Sequence, residues 1–229
     1  MQPLAIAVAQ PPSHPYDVAA NARAHAEVVR AAGARVVVFP ELSLTGYHLD
    51  APTLDPADPR LEPLVTACAQ TGSIALAGAP VDGPHIAVLA VDGTGASVAY
   101  RKMWLGDQEA RRFRPGTTPG VLTVDGRRLG LAVCKDTMTE QHATDTAAAG
   151  VDAYVAGTLK PDTLADAQWD RARAIAVEHG LWVAVASFAG STGEGFTSAA
   201  GRSAVWSPAG DLVASAGPEV GAVVRATFA

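Results

Sequence analysis

The chain has few cysteines and no histidine pattern typical of a metal site. Only Cys68 and Cys134 occur among 229 residues, which is too few for a disulfide framework or a four-thiolate metal site. The shortage favours a reducing compartment, and we expect a cytoplasmic protein. None of the six histidines is spaced from another as metal ligands usually are. We therefore expect no bound metal, and a Cys-His hydrolase is disfavoured.

Basic clusters and long apolar runs are also missing. A net charge of −6 and a pI near 5.4 would repel phosphate backbones, so we expect no nucleic-acid partner. No segment reaches the roughly 20 apolar residues needed to cross a bilayer. The first residues also lack the basic region and apolar stretch of a signal peptide. These absences predict a protein that neither enters a membrane nor is secreted.

What the chain does contain is typical of a soluble α/β protein. It is 48% hydrophobic and 17% charged, and its length suits one large core, so we predict a single domain over residues 1–229. Short apolar runs alternate with longer amphipathic stretches. Residues 86–124 hold three strand-like runs without a full-length helix between them, which indicates antiparallel pairing and mixed sheets. The pattern predicts two stacked sheets with helices on their outer faces.

Three of the predicted strands end abruptly, and each end carries one reactive group. Glu41 follows the apolar run at residues 36–39, Lys102 follows the run at residues 96–100, and Cys134 follows the run at residues 129–133. A carboxylate, an amine and a thiol are the parts of an acyl-transfer site. We predict that the three side chains meet.

These segments resemble the carbon-nitrogen hydrolase family, also called the nitrilase superfamily, and the resemblance covers nearly the whole chain. The matching motifs surround a Glu-Lys-Cys triad; they are Phe39 to Tyr47, Tyr100 to Lys102, and Gly130 to Asp136. The resemblance implies a four-layer αββα sandwich, pairing into homodimers, and no organic cofactor. It also implies that Glu109 is a second carboxylate that positions Lys102.

The chemistry of the triad follows from the residue types. A thiol of ordinary pKa is mostly protonated at neutral pH, so Cys134 needs a base or a positive field. Glu41 can accept its proton, and Lys102 can hold the thiolate and then the oxyanion of a tetrahedral intermediate, helped by the dipole of a helix starting after Asp136. The backbone N–H of Lys135 is the expected second oxyanion donor. We expect three further residues to contact the substrate or its oxyanion: Lys135, Tyr47 and Asp136.

Simpler interpretations exist for some of these residues. A cysteine at a strand end is often a buried structural thiol, and we keep that interpretation for Cys68. The matched segments around Glu41 and Lys102 favour a nucleophile at Cys134. Glu109 could equally belong to an exposed charged turn.

The substrate is less defined than the reaction. Many relatives carry an aromatic residue directly after the nucleophile, where this chain has Lys135, and the segment 157–159 also differs from theirs. Lys135 projects either to a substrate carboxylate or to solvent. We predict an amidohydrolase that cleaves a small linear amide or carbamoyl compound through a thioester. The alternatives are a nitrilase acting on a cyano group, a non-catalytic dimeric binding protein, and a redox role for Cys134.

Overall fold

The computed structural model describes residues 2–229. Its strands β1 to β14 are, in chain order, Leu4–Ala9, Val36–Val38, Ile74–Val81, His85–Asp92, Gly95–Arg101, Gly120–Val124, Arg127–Val133, Ala153–Thr158, Trp182–Ser187, Ala189–Gly190, Ala199–Ala200, Ala204–Trp206, Leu212–Ser215 and Val223–Phe228. The helices α1 to α4 are Val18–Ala32, Glu62–Thr71, Glu140–Ala148 and Ala165–His179. Short 3-10 turns cover Pro59–Leu61, Glu109–Arg111, Cys134–Met138 and Asp162–Leu164.

The strands form two large mixed sheets. The first has six strands in the order β14-β1-β2-β3-β4-β5, and the second has six in the order β13-β12-β9-β8-β7-β6. In the first sheet β1, β2 and β3 are parallel, whereas β14, β4 and β5 run antiparallel to their neighbours. In the second sheet β7, β8 and β9 are parallel and the outer strands are antiparallel. The antiparallel pairing expected after residue 86 is therefore confirmed.

Apolar side chains fill three interfaces and make a four-layer sandwich. One buried cluster lies between the sheets and includes Ile6, Val38, Leu131 and Val155. A second cluster joins α1 and α2 to the outer face of the first sheet, and a third joins α3 and α4 to the second sheet. Because each sheet buries both faces, its central strands are almost continuously apolar. The predicted αββα fold is confirmed.

Helix α1 begins and ends where the sequence indicates. The Asp17 side chain accepts a hydrogen bond from the N–H of Ala20, and Gly33 ends the helix with a φ of 56°. An N-cap carboxylate and a left-handed glycine satisfy groups that the helix itself leaves free. The late hairpin is also found, because Gly210 closes a turn onto Ser207 between β12 and β13.

Two local expectations were wrong. The segment after Cys134 is a single 3-10 turn, and α3 begins only at Glu140, so no full helix dipole starts behind the thiol. The final strand β14, in which exposed and buried residues alternate from Arg225 to Phe228, was not predicted. Among the described residues, no helix combines the length and apolar character needed to span a membrane.

Candidate active site

Three buried charged groups meet at Lys102, directly after β5. Its Nζ donates to Glu41 Oε1 at 2.6 Å and to both oxygens of Glu109 at 2.8 Å. The three residues are 1%, 1% and 3% exposed. An ammonium between two carboxylates is the arrangement that makes such burial tolerable, since a lone buried charge is very costly.

The turn that carries Glu41 is pressed between the two sheets. A Cβ on Gly78 of β3 would lie 2.2 Å from the N atom of Leu42, and a Cβ on Gly157 of β8 would lie 2.6 Å from the O atom of Phe39. Leu42 itself has a φ of 52°, which costs a non-glycine residue free energy. Backbone contact with both sheets therefore fixes where the Glu41 carboxylate lies.

A histidine from α1 supports the same turn. His25 Nε2 lies 2.9 Å from Ser43 Oγ, and the imidazole stacks on Phe39 with a centroid separation of 4.0 Å. Burial lowers the pKa of His25 to about 3. The ring therefore stays neutral and packs as an uncharged side chain beside the Glu41 turn.

Cys134 lies at the end of β7 in a strained conformation. Its φ is 43°, a value that non-glycine residues adopt rarely and that occurs often at functional sites. The half-buried thiol donates to the Leu159 carbonyl at 3.3 Å. The Oε2 atom of Glu41 is buried and lacks a well-formed hydrogen bond within residues 2–229. Because Oε1 is bound to Lys102, Oε2 is the Glu41 oxygen left to accept the thiol proton.

The charges of Glu41, Lys102 and Cys134 act on one another. Burial raises the pKa of Glu41 to about 7, although Lys102 and a hydrogen bond with Cys134 lower it. Burial and the Glu41 charge raise the pKa of Cys134 to about 11, while Lys160 and Lys102 lower it. Burial disfavours a charged Lys102, but the surrounding negative charges hold its pKa above the usual value. At neutral pH the resting pair is a thiol beside a carboxyl group close to its midpoint.

Glu109 lies in the cluster, not in an exposed turn. Besides Lys102, it accepts a hydrogen bond from Tyr47 OH at 2.7 Å and one from the N–H of Gly106 at 2.6 Å. Burial alone would raise the pKa of Glu109, but Lys102 outweighs it and holds the pKa below the usual value. Tyr47 therefore joins the cluster through Glu109, as a neighbour of the Lys102 pocket.

The Lys135 side chain is bound to a main-chain carbonyl group. It is exposed, and its Nζ donates to the Leu105 carbonyl at 2.8 Å. The Lys135 ammonium therefore already has a partner within the protein. The backbone N–H of Lys135 still directly follows Cys134.

Asp136 occupies a different place from the one expected. Its carboxylate accepts hydrogen bonds from Tyr100 OH at 2.7 Å, from the N–H of Val133 at 2.9 Å and from the N–H of Trp104 at 2.8 Å. All the contacts of this fully buried side chain are with the protein. The assignment of Asp136 to the substrate side is therefore corrected: it ties the Cys134 turn to the segment that carries Lys102.

Replacing Asp136 by asparagine should lower the free energy of unfolding by about 1–3 kcal/mol. An asparagine NH₂ group is itself a donor, and it would face an O–H or N–H donor that now binds a carboxylate oxygen of Asp136. Urea denaturation measures the change. Asp107→Asn, on an exposed residue, should stay within about 0.5 kcal/mol of the unchanged protein. Equal stability of both variants would contradict a bridging role.

Helix α4 and a buried aromatic network support the nucleophile turn, and sequence reasoning missed them. Thr137 Oγ1 contacts Gln168 Oε1 at 3.2 Å, and Arg171 Nε donates to the Thr137 carbonyl at 3.1 Å. His142 contacts Tyr100 OH at 2.9 Å and Tyr154 OH at 2.8 Å. These partners are distant in sequence from Cys134, so no local pattern could reveal them.

Other concave sites do not contain the triad. A groove of about 400 Å³ lies along the sheet edges, between β5 and the segment 115–121. Two smaller grooves are both lined by Glu194. The groove of about 290 Å³ also contacts Gln108, and the groove of about 240 Å³ also contacts Pro161. Within residues 2–229, no group of three or more His, Cys, Asp and Glu side chains is arranged to hold a metal ion.

Comparison with known sequences gives a consistent family. The profile described as Carbon-nitrogen hydrolase matches residues 5–228. A protein of Pseudomonas protegens named "Hydrolase in pqqF 5'region" is 32% identical over 228 residues, which cover 93% of this chain and 78% of that protein. A hydrolase of Mycobacterium tuberculosis is 33% identical over 219 residues, covering 82% of this chain and 75% of the relative.

Solved structures agree with the fold. An amidase from Nesterenkonia sp. is 26% identical with a TM-score of 0.85, over 98% of this chain and 90% of that one. Saccharomyces cerevisiae Nit3, described as a member of the nitrilase superfamily, is 22% identical with a TM-score of 0.85, over 99% and 90% of the two chains. The second similarity shows the fold alone. The profile over residues 5–228 and the sequence relatives show that the chain belongs to the carbon-nitrogen hydrolase family.

Proposed function

We propose that the protein is a cysteine amidohydrolase that cleaves a non-peptide C–N bond of a small linear amide or carbamoyl compound. The observation that carries the proposal is the Lys102 ammonium, buried between Glu41 and Glu109 beside the half-buried thiol of Cys134. The hydrolase names of the sequence relatives support a hydrolytic reaction, and the Nesterenkonia amidase supports an amide substrate.

The first half of the reaction forms a thioester on Cys134. Glu41 accepts the thiol proton as the sulfur attacks the amide carbon, and the carbonyl oxygen becomes an oxyanion. Lys102 Nζ and the N–H of Lys135 donate to that oxyanion. The C–N bond then breaks as Glu41 returns its proton to the leaving nitrogen, which departs as ammonia or an amine.

The second half releases the acid and restores the enzyme. Glu41 accepts a proton from water, the hydroxide attacks the thioester carbon, and the C–S bond breaks. The proton held by Glu41 returns to the sulfur. Glu109 keeps Lys102 oriented through both halves, since it holds the ammonium with two hydrogen bonds and is itself held by Tyr47 and Gly106.

An amide panel followed by mass spectrometry tests this proposal. We expect the protein to release acid and ammonia from at least one small amide, and a slow substrate to leave an acyl mass on Cys134. Cys134→Ala should lose both the turnover and the adduct, whereas Cys68→Ala should keep both because Cys68 lies on α2, in the cluster outside the first sheet.

Other outcomes would redirect or end the proposal. Turnover of a nitrile without turnover of the matching amide would indicate a nitrilase. Amide turnover that survives Cys134→Ala would remove the thioester mechanism. The absence of turnover and of any adduct would favour a non-catalytic member of the fold.

The homodimer implied by the family resemblance stays a prediction. Leu212 and Val213 on the edge strand β13 are each 46% exposed. Exposed apolar side chains on a sheet edge are surface that a second subunit can cover. We propose a homodimer acting on a small molecule.

A further inference from the structure

A second lysine stands beside the nucleophile. Lys160 directly follows Leu159, whose carbonyl oxygen lies 3.3 Å from the Cys134 sulfur. The backbone is fixed at this point, because the N–H of Ala200 donates to the Lys160 carbonyl at 2.8 Å and Pro161 forms a β-bridge with Ala199. The chain therefore holds the Lys160 backbone next to the thiol.

The charge of Lys160 acts on that thiol. Of the two ammonium groups that lower the pKa of Cys134, Lys160 has the larger effect and Lys102 the smaller. Both ammonium groups therefore favour the charged form of the thiol.

The two lysines differ in their partners. Lys102 has two carboxylates, whereas Lys160 forms no ion pair with any carboxylate in the part of the chain that the structure describes. The nearest acids in sequence have other partners: Asp162 accepts from Ser198 at 3.0 Å, and Asp166 pairs with Arg202 at 2.7 Å. Lys160 is only partly exposed, and a partly desolvated cation gains from an anionic partner.

The surroundings of Lys160 add a second free donor. Lys160 and Gln168 line the same small cavity of about 10 Å³, which is room for one water molecule. Gln168 is 4% exposed, and its Nε2 has no hydrogen-bond partner within residues 2–229. On the other side, Pro161 borders the open groove of about 240 Å³. Lys160 thus shares a cavity with a buried donor that lacks an acceptor, and the residue after it borders an open groove.

We propose that Lys160 binds a carboxylate on the acyl portion of the substrate, so that the preferred amides are monoamides of dicarboxylic acids. This inference rests on the proposed function. Lys102 is already neutralised by its carboxylates, and the Lys135 ammonium is bound to Leu105. Among the three lysines of the chain, Lys160 is the one whose ammonium forms no hydrogen bond or ion pair within residues 2–229.

Paired substrates test the proposal. Malonamate, succinamate and glutaramate are compared with propionamide, butyramide and valeramide, in which a methyl group replaces the carboxylate. We expect the protein to prefer at least one anionic amide. Lys160→Met should lower kcat/KM for that amide by about 10- to 100-fold, the size of one charge-assisted hydrogen bond, mainly through KM. The neutral partner should change less than about 2-fold.

Two further variants separate recognition from folding. Lys160→Arg keeps the positive charge and should recover most of the anionic preference. Arg23→Met removes a cation from the exposed face of α1 and should change neither substrate series. Circular dichroism of each variant checks that the fold is retained.

Each remaining outcome would overturn the proposed role of Lys160, and one of them would also overturn the proposed function. Equal losses for anionic and neutral amides would mean that Lys160 acts on the thiolate or oxyanion, which overturns substrate recognition. Turnover of neutral amides without any preference for the anionic ones would also overturn it, and would leave the amidohydrolase intact. No turnover of either series, with no acyl adduct on Cys134, would overturn both proposals.

Discussion

Glu41→Gln should reduce amide turnover by about 10²- to 10⁴-fold, the usual contribution of one general acid-base group, while Cys134 remains open to alkylation. Glutamine has nearly the same shape and can still accept from Lys102, but it cannot take the thiol proton or return it to the leaving nitrogen. The Glu41 charge also raises the pKa of Cys134, so its removal should favour the thiolate. Loss of turnover and retention of thiol reactivity are therefore expected in the same protein.

The pH dependence gives a second readout of this variant. Burial raises the pKa of Glu41 to about 7, and only the ionised carboxylate can act as the base. In the unchanged protein kcat/KM should rise as the pH passes through about 7. The residual activity of Glu41→Gln should not show this rise, because glutamine does not titrate.

A matched substitution on the protein surface serves as the control for Glu41→Gln. Glu27→Gln makes the same chemical change on the exposed face of α1 and should keep full turnover. Iodoacetamide labelling of Cys134, with Cys68 as the internal reference, measures thiol reactivity. Glu41→Gln protein with near-normal turnover would show that another group is the base.

Lys102→Met should destabilise the protein by about 3–5 kcal/mol at neutral pH, the usual cost of removing one partner from a buried ion pair, and should abolish turnover. It leaves Glu41 and Glu109 facing each other without a cation in a site where Lys102 now contacts both within 2.8 Å. Urea denaturation measures the loss of stability, and the amide assay measures the loss of activity.

The destabilisation should grow with pH. In the variant the buried carboxyl groups lose their cation, so their pKa values rise above those of the unfolded chain. A group whose pKa is raised in the folded state stabilises the fold in acid, and this stabilisation is lost as the pH rises. In the unchanged protein the pKa of Glu109 is lowered, so its support is present at neutral pH and is lost in acid. Both effects make the difference smallest in acid, well below the ordinary carboxyl pKa of 4.5, and largest near pH 7.

Two variants decide whether unpaired charge is the cause. Adding Glu41→Gln and Glu109→Gln to Lys102→Met removes the uncompensated carboxylates and should recover much of the stability without activity. Arg101→Met, one residue earlier on the exposed side of β5, should change stability by less than about 0.5 kcal/mol. A pH-independent loss in Lys102→Met would point to lost packing instead.

Sequence alone predicted the sandwich and the meeting of Glu41, Lys102 and Cys134. Both predictions rest on strong local signals, since apolar runs define buried strands and an abrupt polar residue defines each strand end. The carboxyl ends of β2 and β7, both parallel strands of the inner layers, naturally bring such residues together. The contact of Glu109 with Lys102 came from the family motif and not from any local pattern.

Other parts of the site depend on contacts that no local pattern records. Asp136 looked like a substrate-side residue because it lies two positions after Cys134, but a tight 3-10 turn directs its carboxylate back into the protein. Lys160 drew no notice, because its importance depends on Leu159 reaching the sulfur and on the lack of a neighbouring carboxylate. Both features belong to the packing of β7, β8 and the loops after them.

The two glycines that press on the Glu41 turn suggest how this enzyme scaffold can be tuned. Gly78 and Gly157 come from opposite sheets, and a methyl group on either would collide with the main chain around Glu41. An alanine at one position would push the base toward the other sheet without altering the chemistry of any reacting side chain. Substitution at either site would therefore change the separation of the Glu41 carboxylate from the Cys134 sulfur, while both side chains keep their chemical identity.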